Sequence, residues 1–388
     1  MFETSCIELS KSALRNNLSF LRKQFGKDVT ISSVVKGNAY GHGIDSFVPL
    51  AEECGMRHFS VFNTSEAVEV RKCLRHSSEI MITGCVEGEG LEWAIGNGVS
   101  FYVYDVIRLE QALAVARRLD TVADIHLELE TGLNRTGLKL DELQRAVEII
   151  GANREFIKVE GVCTHYAGAE SIANYKRIMD QIALFNERCD YLNSAGIEPR
   201  LRHSAASAAA LLYPKTRMDL VRIGIAHYGF WPSKETEMQF LINNGGVERV
   251  RRKNPLRRVL RWCSSIMAIK EIPAGEFVGY GNSYLTTRKL RVAAVPVGYF
   301  HGFSRQLSNL GRVLVRGKRV GIVGTVNMNM LLVNISEIKD VRLGDEVVII
   351  GKQNRSQISV SSFSDLSNLL NYEALVRLPA EIPRVVVD

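Results

Sequence analysis

Val34-Val35-Lys36-Gly37-Asn38-Ala39-Tyr40-Gly41-His42-Gly43 is the stretch on which the reading turns. A strand-like run, 31–35, leads straight into Lys36, and a Gly-rich polar turn follows. A lysine at the exit of a buried strand can snorkel to water or stay partly desolvated. In the second state its pKa falls and its amine becomes a nucleophile toward an aldehyde. A strand that ends in such a residue and then turns sharply is the first βα unit of an α/β protein.

Working outward, further apolar runs follow at regular intervals. They lie at 29–35, 58–62, 79–83, 99–104, 122–129, 157–164, 201–204 and 219–225. Segments with helical spacing separate most of them: 65–74 after the cap candidates Asn63 and Thr64, 106–119 after Asp105, 141–150 and 175–192, with a weaker one near 90–95. Eight βα units in series predict a (β/α)8 TIM-type barrel. From about Pro255 the pattern changes to short β-runs broken by Gly turns: 291–297, 312–315, 319–323, 330–333 and 346–350. One helix is expected there, over 363–370. The expected fold is therefore α/β, a barrel over 1–245 followed by a mostly β C-terminal domain over 246–388. The length of 388 residues suits a barrel of roughly 250 residues plus a smaller domain.

Composition narrows the function classes. No apolar run reaches the ~20 residues of a membrane helix. The N-terminus has neither a basic nor an apolar leader region, so a cytoplasmic protein without membrane association is expected. The seven cysteines are scattered, with no Cys-x-x-Cys pair and no linear zinc spacing; reduced thiols and no metal are expected. The net charge of +7 owes much to Arg249, Arg251, Arg252, Lys253, Arg257, Arg258 and Arg261. No aromatics interleave with them to stack on bases, so a solvated junction fits better than a nucleic-acid surface.

In such barrels chemistry gathers at the C-terminal ends of the strands. Lys36 stands at the first. Glu128, Glu130, Asn134 and Arg135 follow the fifth, His165 ends the sixth, His203 and Ser207 bracket the end of the seventh, and Arg222 and Gly224 lie at the eighth. Loops after strands seven and eight commonly bind phosphate through backbone N–H groups. Ser207 and the Gly224-Ile225 backbone offer that cradle here. A phosphate-bearing cofactor whose aldehyde reacts with Lys36 is pyridoxal 5′-phosphate (PLP).

On these motifs the chain resembles the alanine racemase family of PLP-dependent amino-acid racemases. The matching blocks are Lys36 to Gly43, Thr131-Gly132-Leu133-Asn134-Arg135-Thr136-Gly137, Thr164-His165-Tyr166, Val221-Arg222-Ile223-Gly224-Ile225, Gly279-Tyr280-Gly281, Pro296-Val297-Gly298-Tyr299 and Asn371-Tyr372-Glu373. The resemblance implies that Lys36 holds PLP covalently. It implies that Tyr40, Ser207, Tyr299, Gly224 and Ile225 hold its phosphate, with Tyr372 also in the cofactor site. Arg222 would face the pyridine nitrogen, oriented by His165. Arg135 would touch the cofactor's phenolic oxygen and the substrate, and the Met328 backbone would hold the substrate carboxylate. Tyr280 would be the second acid/base, supplied by a partner subunit, so that a homodimer carries composite sites. The implied reaction is interconversion of L- and D-alanine by two bases, Lys36 and Tyr280.

Three positions depart from the family pattern. Glu128 stands where many members carry a carbamylated lysine, and a direct Glu128–Arg135 pair is expected. Asn329 replaces an aspartate beside Met328. Phe300-His301 replaces a small residue and an aspartate, with His301 either an active-site neighbour or an interface filler. These changes leave open a broad-spectrum, serine or basic amino-acid racemase. A decarboxylase of related fold and a non-catalytic PLP-binding homologue also stay open.

Overall fold

The computed structural model describes residues 4–244, 254–363 and 371–388. The chain divides into two compact units. One comprises 14–36 and 48–257, the other 1–13, 37–47 and 258–388.

The first unit is the barrel. After a leading strand β1, Ser5–Ser10, come β2 Thr30–Val34, β3 His58–Val61, β4 Glu79–Ile82, β5 Ser100–Val103, β6 Ala123–Glu128, β7 Ile157–Cys163, β8 Leu201–His203 and β9 Leu220–Ile223. Strands β2 to β9 form one eight-stranded sheet of parallel neighbours in the order β8-β7-β6-β5-β4-β3-β2-β9. The two ends approach through Asp219 N–H to Arg202 O (3.1 Å) and Arg222 N–H to Ala205 O (2.9 Å), which nearly closes the cylinder. Parallel strands covered on both faces read as near-continuous apolar runs, which is why all eight were visible in the sequence. Each observed strand is shorter than expected by a residue or more, as fraying at element ends predicts.

The helices start where their caps put them. Asn63 Oδ1 accepts from Glu66 N–H (2.9 Å) ahead of helix Thr64–Cys73, and Asp105 Oδ1 accepts from Arg108 N–H (2.7 Å) ahead of helix Val106–Leu119. Helices Gly88–Gly96, Leu140–Gly151 and Tyr175–Ser194 occupy the other expected places.

The second unit is mostly β. Its larger sheet runs Lys318–Gly321, Arg312–Val315, Glu346–Gln353, Leu260–Ser265, β1 and Arg384–Val387, with Ser356–Ile358 paired to Glu346–Gln353. Ala268–Ile272, Leu290–Val295 and Leu331–Asn334 make a three-stranded sheet. Strand β1 pairs antiparallel with Leu260–Ser265 and parallel with Arg384–Val387. The division is therefore not the contiguous 1–245 and 246–388 of the sequence reading: the first strand and residues 37–47 belong to the β unit. The helix expected over 363–370 and the charges at Arg249, Arg251, Arg252 and Lys253 lie outside the described residues, Phe363 excepted. Arg261, from the same basic stretch, makes ion pairs with Glu8 (2.7 Å) and Glu346 (2.6 Å). Among the described residues no helix is long and apolar enough to cross a membrane.

Candidate active site

Lys36 follows directly on the barrel strand β2, where Val35 N–H bonds Ser60 O (2.9 Å). Its side chain reaches solvent, yet protein crowds it closely. Desolvation lowers its ammonium pKa, and the charges of Arg135 and Arg222 lower it further against the opposing pull of Glu66. This is the activated state that an amine nucleophile requires.

The backbone after Lys36 turns the wrong way for L-residues. Gly37, Asn38, Ala39 and Tyr40 all have φ between 53° and 62°. Left-handed helical backbone costs roughly 1–2 kcal/mol per non-glycine residue. Local bonds hold it: Asn38 Oδ1 accepts from Ile44 N–H (2.9 Å), and Tyr40 O pairs with His42 Nδ1 (3.0 Å). Gly41 continues the turn where a Cβ would lie 2.0 Å from Leu375 O. Strain of this kind collects at functional sites.

Arg222 is the most heavily bonded side chain of the barrel site. It is buried; Nη1 donates to His203 Nδ1 (2.7 Å) and His203 O (2.9 Å). Nη2 donates to Thr164 O (2.9 Å), Ser204 O (3.0 Å) and His165 Nδ1 (3.4 Å). These bonds engage Nη1 and Nη2, so Nε–H stays available to a ligand. His165 does bond Arg222, as expected, but His203 makes the shorter bond and three carbonyls share the work.

The donor count fixes the tautomers. His203 Nδ1 accepts from Arg222, so its proton sits on Nε2, which donates to His126 Nδ1 (2.8 Å). His126 then carries its proton on Nε2, a buried atom with no hydrogen-bond partner. Burial, with nearby positive charge (His58 and Arg200 before Arg222 for His126, Arg222 for His203), holds both rings well below the usual histidine range, and burial with Arg222 puts His165 at about 3. All three are neutral. Gly161 makes room: a Cβ there would lie 2.1 Å from His126 Nδ1.

The loop after β6 carries Arg135. Glu130 builds this loop by accepting from the N–H groups of Gly132 and, at 2.9 Å, Asn134. Thr131 Oγ1 meets Thr164 Oγ1 (2.7 Å) and accepts from Gln181 Nε2 (3.2 Å). The expected Glu128–Arg135 pair is absent. Glu128 Oε2 instead accepts from Thr136 Oγ1 (2.8 Å), and Arg135 acts on it through space. The turn brings the Thr136 hydroxyl to the carboxylate before the longer arginine. Burial raises the Glu128 pKa, with Thr136, Arg135 and Arg222 opposing.

Ser207 opens the short helix Ser207–Leu212, and its Oγ accepts from Gly224 N–H (3.2 Å). His227 props this turn, with Nδ1 on Gly224 O and Nε2 on Ser33 Oγ (3.1 Å). Ile225 is buried beside it. The barrel unit thus brings Lys36, Arg135, His165, Ser207, Arg222, Gly224 and Ile225 to its strand ends, and the charges of Lys36, Arg135 and Arg222 act on one another or on His165. Cations so gathered call for an anion.

The β unit holds the other nominated residues. The rings of Tyr40 and Tyr372 meet edge to face, with centroids 6.2 Å apart. Burial raises the Tyr40 phenol to about 12. Tyr280 is 76 % exposed, and Tyr299 and Met328 are exposed too. Tyr299 N–H donates to Asn327 O (3.0 Å) and Phe300 N–H to Met328 O (2.9 Å). The Met328 carbonyl therefore accepts a bond inside the fold, while the bond leaves its N–H untouched. His301 has a structural role within its own chain. It is buried; Gly298 N–H donates to its Nδ1 (3.2 Å) and Thr4 Oγ1 meets its Nε2 (3.3 Å), so it caps the turn Tyr299–His301.

Sequence reasoning missed His126. Its signal was a histidine amid alternating apolar residues of an inward-facing strand, Ala123-Asp124-Ile125-His126-Leu127-Glu128.

Comparison with known proteins agrees with this layout. Residues 9–232 match the model of the alanine racemase N-terminal domain, and 259–386 match that of its C-terminal domain. The alanine racemase of Leptospira interrogans is 32% identical over 385 residues, 99% of this chain and 96% of that protein. The crystal structure of alanine racemase from Streptomyces lavendulae superposes with a TM-score of 0.87 at 30% identity, covering 100% of this chain and 98% of that one. At 24% identity and a TM-score of 0.82, covering 100% of both chains, the Bartonella henselae alanine racemase, with covalently bound pyridoxal phosphate, shares the fold. A barrel with a lysine and two arginines at its strand ends, joined to a mostly β unit, defines a two-unit isomerase of the amino-acid racemase type. The chain belongs to the alanine racemase family.

Proposed function

We propose that this protein interconverts L- and D-alanine with PLP as cofactor, as a homodimer whose sites combine Lys36 of one subunit with Tyr280 of the other. One observation carries the reading. A lysine of lowered pKa shares the barrel's strand ends with Arg135, Arg222 and the Ser207–Gly224 turn.

These residues suit PLP group by group. Lys36 Nζ suits the aldehyde, the Ser207 hydroxyl, its oxygen held by Gly224 N–H and its proton free to donate, suits a phosphate, and Arg222 Nε–H suits the pyridine nitrogen. When bound, PLP supplies the electron withdrawal that acidifies the α-C–H of an amino acid. Arg222 is a permanent cation and donor, so it disfavours a proton on the ring nitrogen. A weaker electron sink limits side reactions at the cofactor. Racemisation takes a proton from one face of the α-carbon and returns one to the other. Lys36 Nζ serves one face. The exposed Tyr280 phenol serves the other when a second copy of the chain covers it.

The test is α-proton exchange in deuterium oxide, followed by proton NMR on PLP-loaded protein across L- and D-amino acids. Exchange with inversion, greatest for alanine, is expected. Exchange confined to serine, lysine or arginine would replace alanine as substrate. Bound PLP without exchange would overturn the racemase reading.

A further inference from the structure

Cys6 and Cys263 sit directly opposite each other where β1 pairs antiparallel with Leu260–Ser265. Their sulfurs are 3.2 Å apart. Glu8 lies two residues along the same strand and so on the same face. Its Oε1 is 3.8 Å from Cys263 Sγ. The three ligand atoms all lie within 4.8 Å of one another. The linear sequence hides the cluster, because 257 residues separate the two cysteines.

We propose that Cys6, Glu8 and Cys263 bind a thiophilic divalent cation of the zinc class. Two sulfurs and one carboxylate oxygen are a ligand set that Zn²⁺ accepts, with water as the fourth ligand. Zn–S distances of about 2.3 Å put two tetrahedral sulfurs roughly 3.8 Å apart, so the thiols separate by about half an ångström to admit the ion. The 3.8 Å between Cys263 Sγ and Glu8 Oε1 is close to the roughly 3.6 Å that tetrahedral Zn–S and Zn–O bonds require. Cys6 and Glu8 are partly exposed, which leaves the fourth position on the solvent side.

Arg261 supplies the outer support. Its Nη1 holds Glu8 Oε2 (2.7 Å), which aims Oε1 at the sulfurs. Its Nη2 is anchored on Glu346 (2.6 Å) and its Nε on Lys352 O (3.2 Å). Metal-ligating carboxylates are commonly oriented in this way. Two thiolates, one carboxylate and Zn²⁺ leave one negative charge, which lies beside the Arg261 guanidinium that Glu8 shares with Glu346. Without an ion, burial and the neighbouring sulfur keep the Cys263 thiol protonated. Binding therefore exchanges two thiol protons for the cation, which would staple the first strand of the chain to a remote one.

The experiment uses the full chain, reduced and chelator-treated, titrated with Zn²⁺ against a chromogenic competitor. One equivalent per chain is expected. Cys6→Ser should weaken its Kd by about 100-fold or more, and Glu8→Gln by about 10-fold. Circular dichroism verifies the fold of each variant. Because Cys263 is buried, its variant can fail to fold, so the wild-type chain carries a second measurement. Zinc should slow alkylation of Cys6 and leave the exposed Cys85 unaffected, read by mass spectrometry. Zinc stoichiometry unchanged in Cys6→Ser would overturn the assignment. So would equal alkylation of Cys6 with and without zinc, or a Cys6–Cys263 disulfide that forms as readily with zinc as without.

Discussion

The two units treat their functional side chains in opposite ways. In the barrel, Arg222 is buried under hydrogen bonds to two histidine nitrogens and three carbonyls, and Lys36, Arg135 and His165 feel one another's fields. In the β unit, the Tyr280 ring stands 76 % exposed. A preorganised cluster is complete within one chain; an exposed tyrosine is not. The difference teaches where the second subunit must enter if the site is composite. Lys36→Ala strikes the complete half and should have the largest effect. Racemisation should fall by at least about 10³-fold, with loss of the visible absorbance of lysine-bound PLP. Tyr280→Phe strikes the incomplete half. It should keep that absorbance and lose about 10²- to 10⁴-fold in activity. Mixing the two inactive variants sharpens the contrast. Subunit exchange should restore up to about a quarter of wild-type activity, because each heterodimer then holds one intact composite site. No recovery despite measured exchange would place both bases in one chain.

The same contrast governs what the sequence revealed. The barrel was legible because doubly covered parallel strands are apolar runs and because Asn63 and Asp105 announce their helices. Lys36, Arg135, His165, Ser207 and Arg222 were legible because they stand at strand ends. Pairing between remote segments was not. Nothing local says that β1 lies between Leu260–Ser265 and Arg384–Val387. The His203–His126 contact spans 77 residues, and its geometry depends on β6 and β8 flanking β7 in the sheet. The Glu128–Arg135 expectation failed on a short-range competitor, the Thr136 hydroxyl. Charge complementarity alone does not rank partners when a turn delivers a neutral donor first.

The barrel's buried network can be broken without touching Lys36. Arg222→Lys replaces a planar fork by one ammonium and leaves some of His203 Nδ1, His203 O, Thr164 O and Ser204 O unpaired. Each buried group so orphaned costs about 1–3 kcal/mol, read by denaturant unfolding. Gly161→Ala would put a Cβ 2.1 Å from His126 Nδ1, forces the ring to move and should cost about 1–3 kcal/mol. Acid should find the same weakness. His58 is held at about 4, and His165 and His227 at about 3, by burial. Their unfolded counterparts titrate near pH 6.5, so below that the unfolded chain binds more protons. The stability these neutral rings contribute is complete above about pH 6.5 and is lost as pH falls toward their folded values. The slope is about 1.4 kcal/mol per pH unit for each such histidine. A flat unfolding free energy between pH 6.5 and 4.5 would show that the rings are not buried neutral.

Glu128→Gln should have the smallest effect, and it tests the boundary between local geometry and field. The amide oxygen can keep the bond from Thr136 Oγ1, so the turn around Arg135 should survive. What disappears is a negative charge that burial already disfavours. A carboxyl whose folded pKa is raised favours folding in its protonated form, and that benefit is lost as pH rises through the folded value. The glutamine variant, which never ionises, should therefore equal or exceed the wild type in stability at pH 7. The two should converge below about pH 4. Activity should change by less than about 10-fold, because Arg135 acts on Glu128 through space and is held by its loop. A loss of 100-fold with an unchanged unfolding curve would mean that the charge at Glu128 sets what Arg135 can bind. The barrel site would then depend on an ion pair after all, one that forms when its ligands arrive.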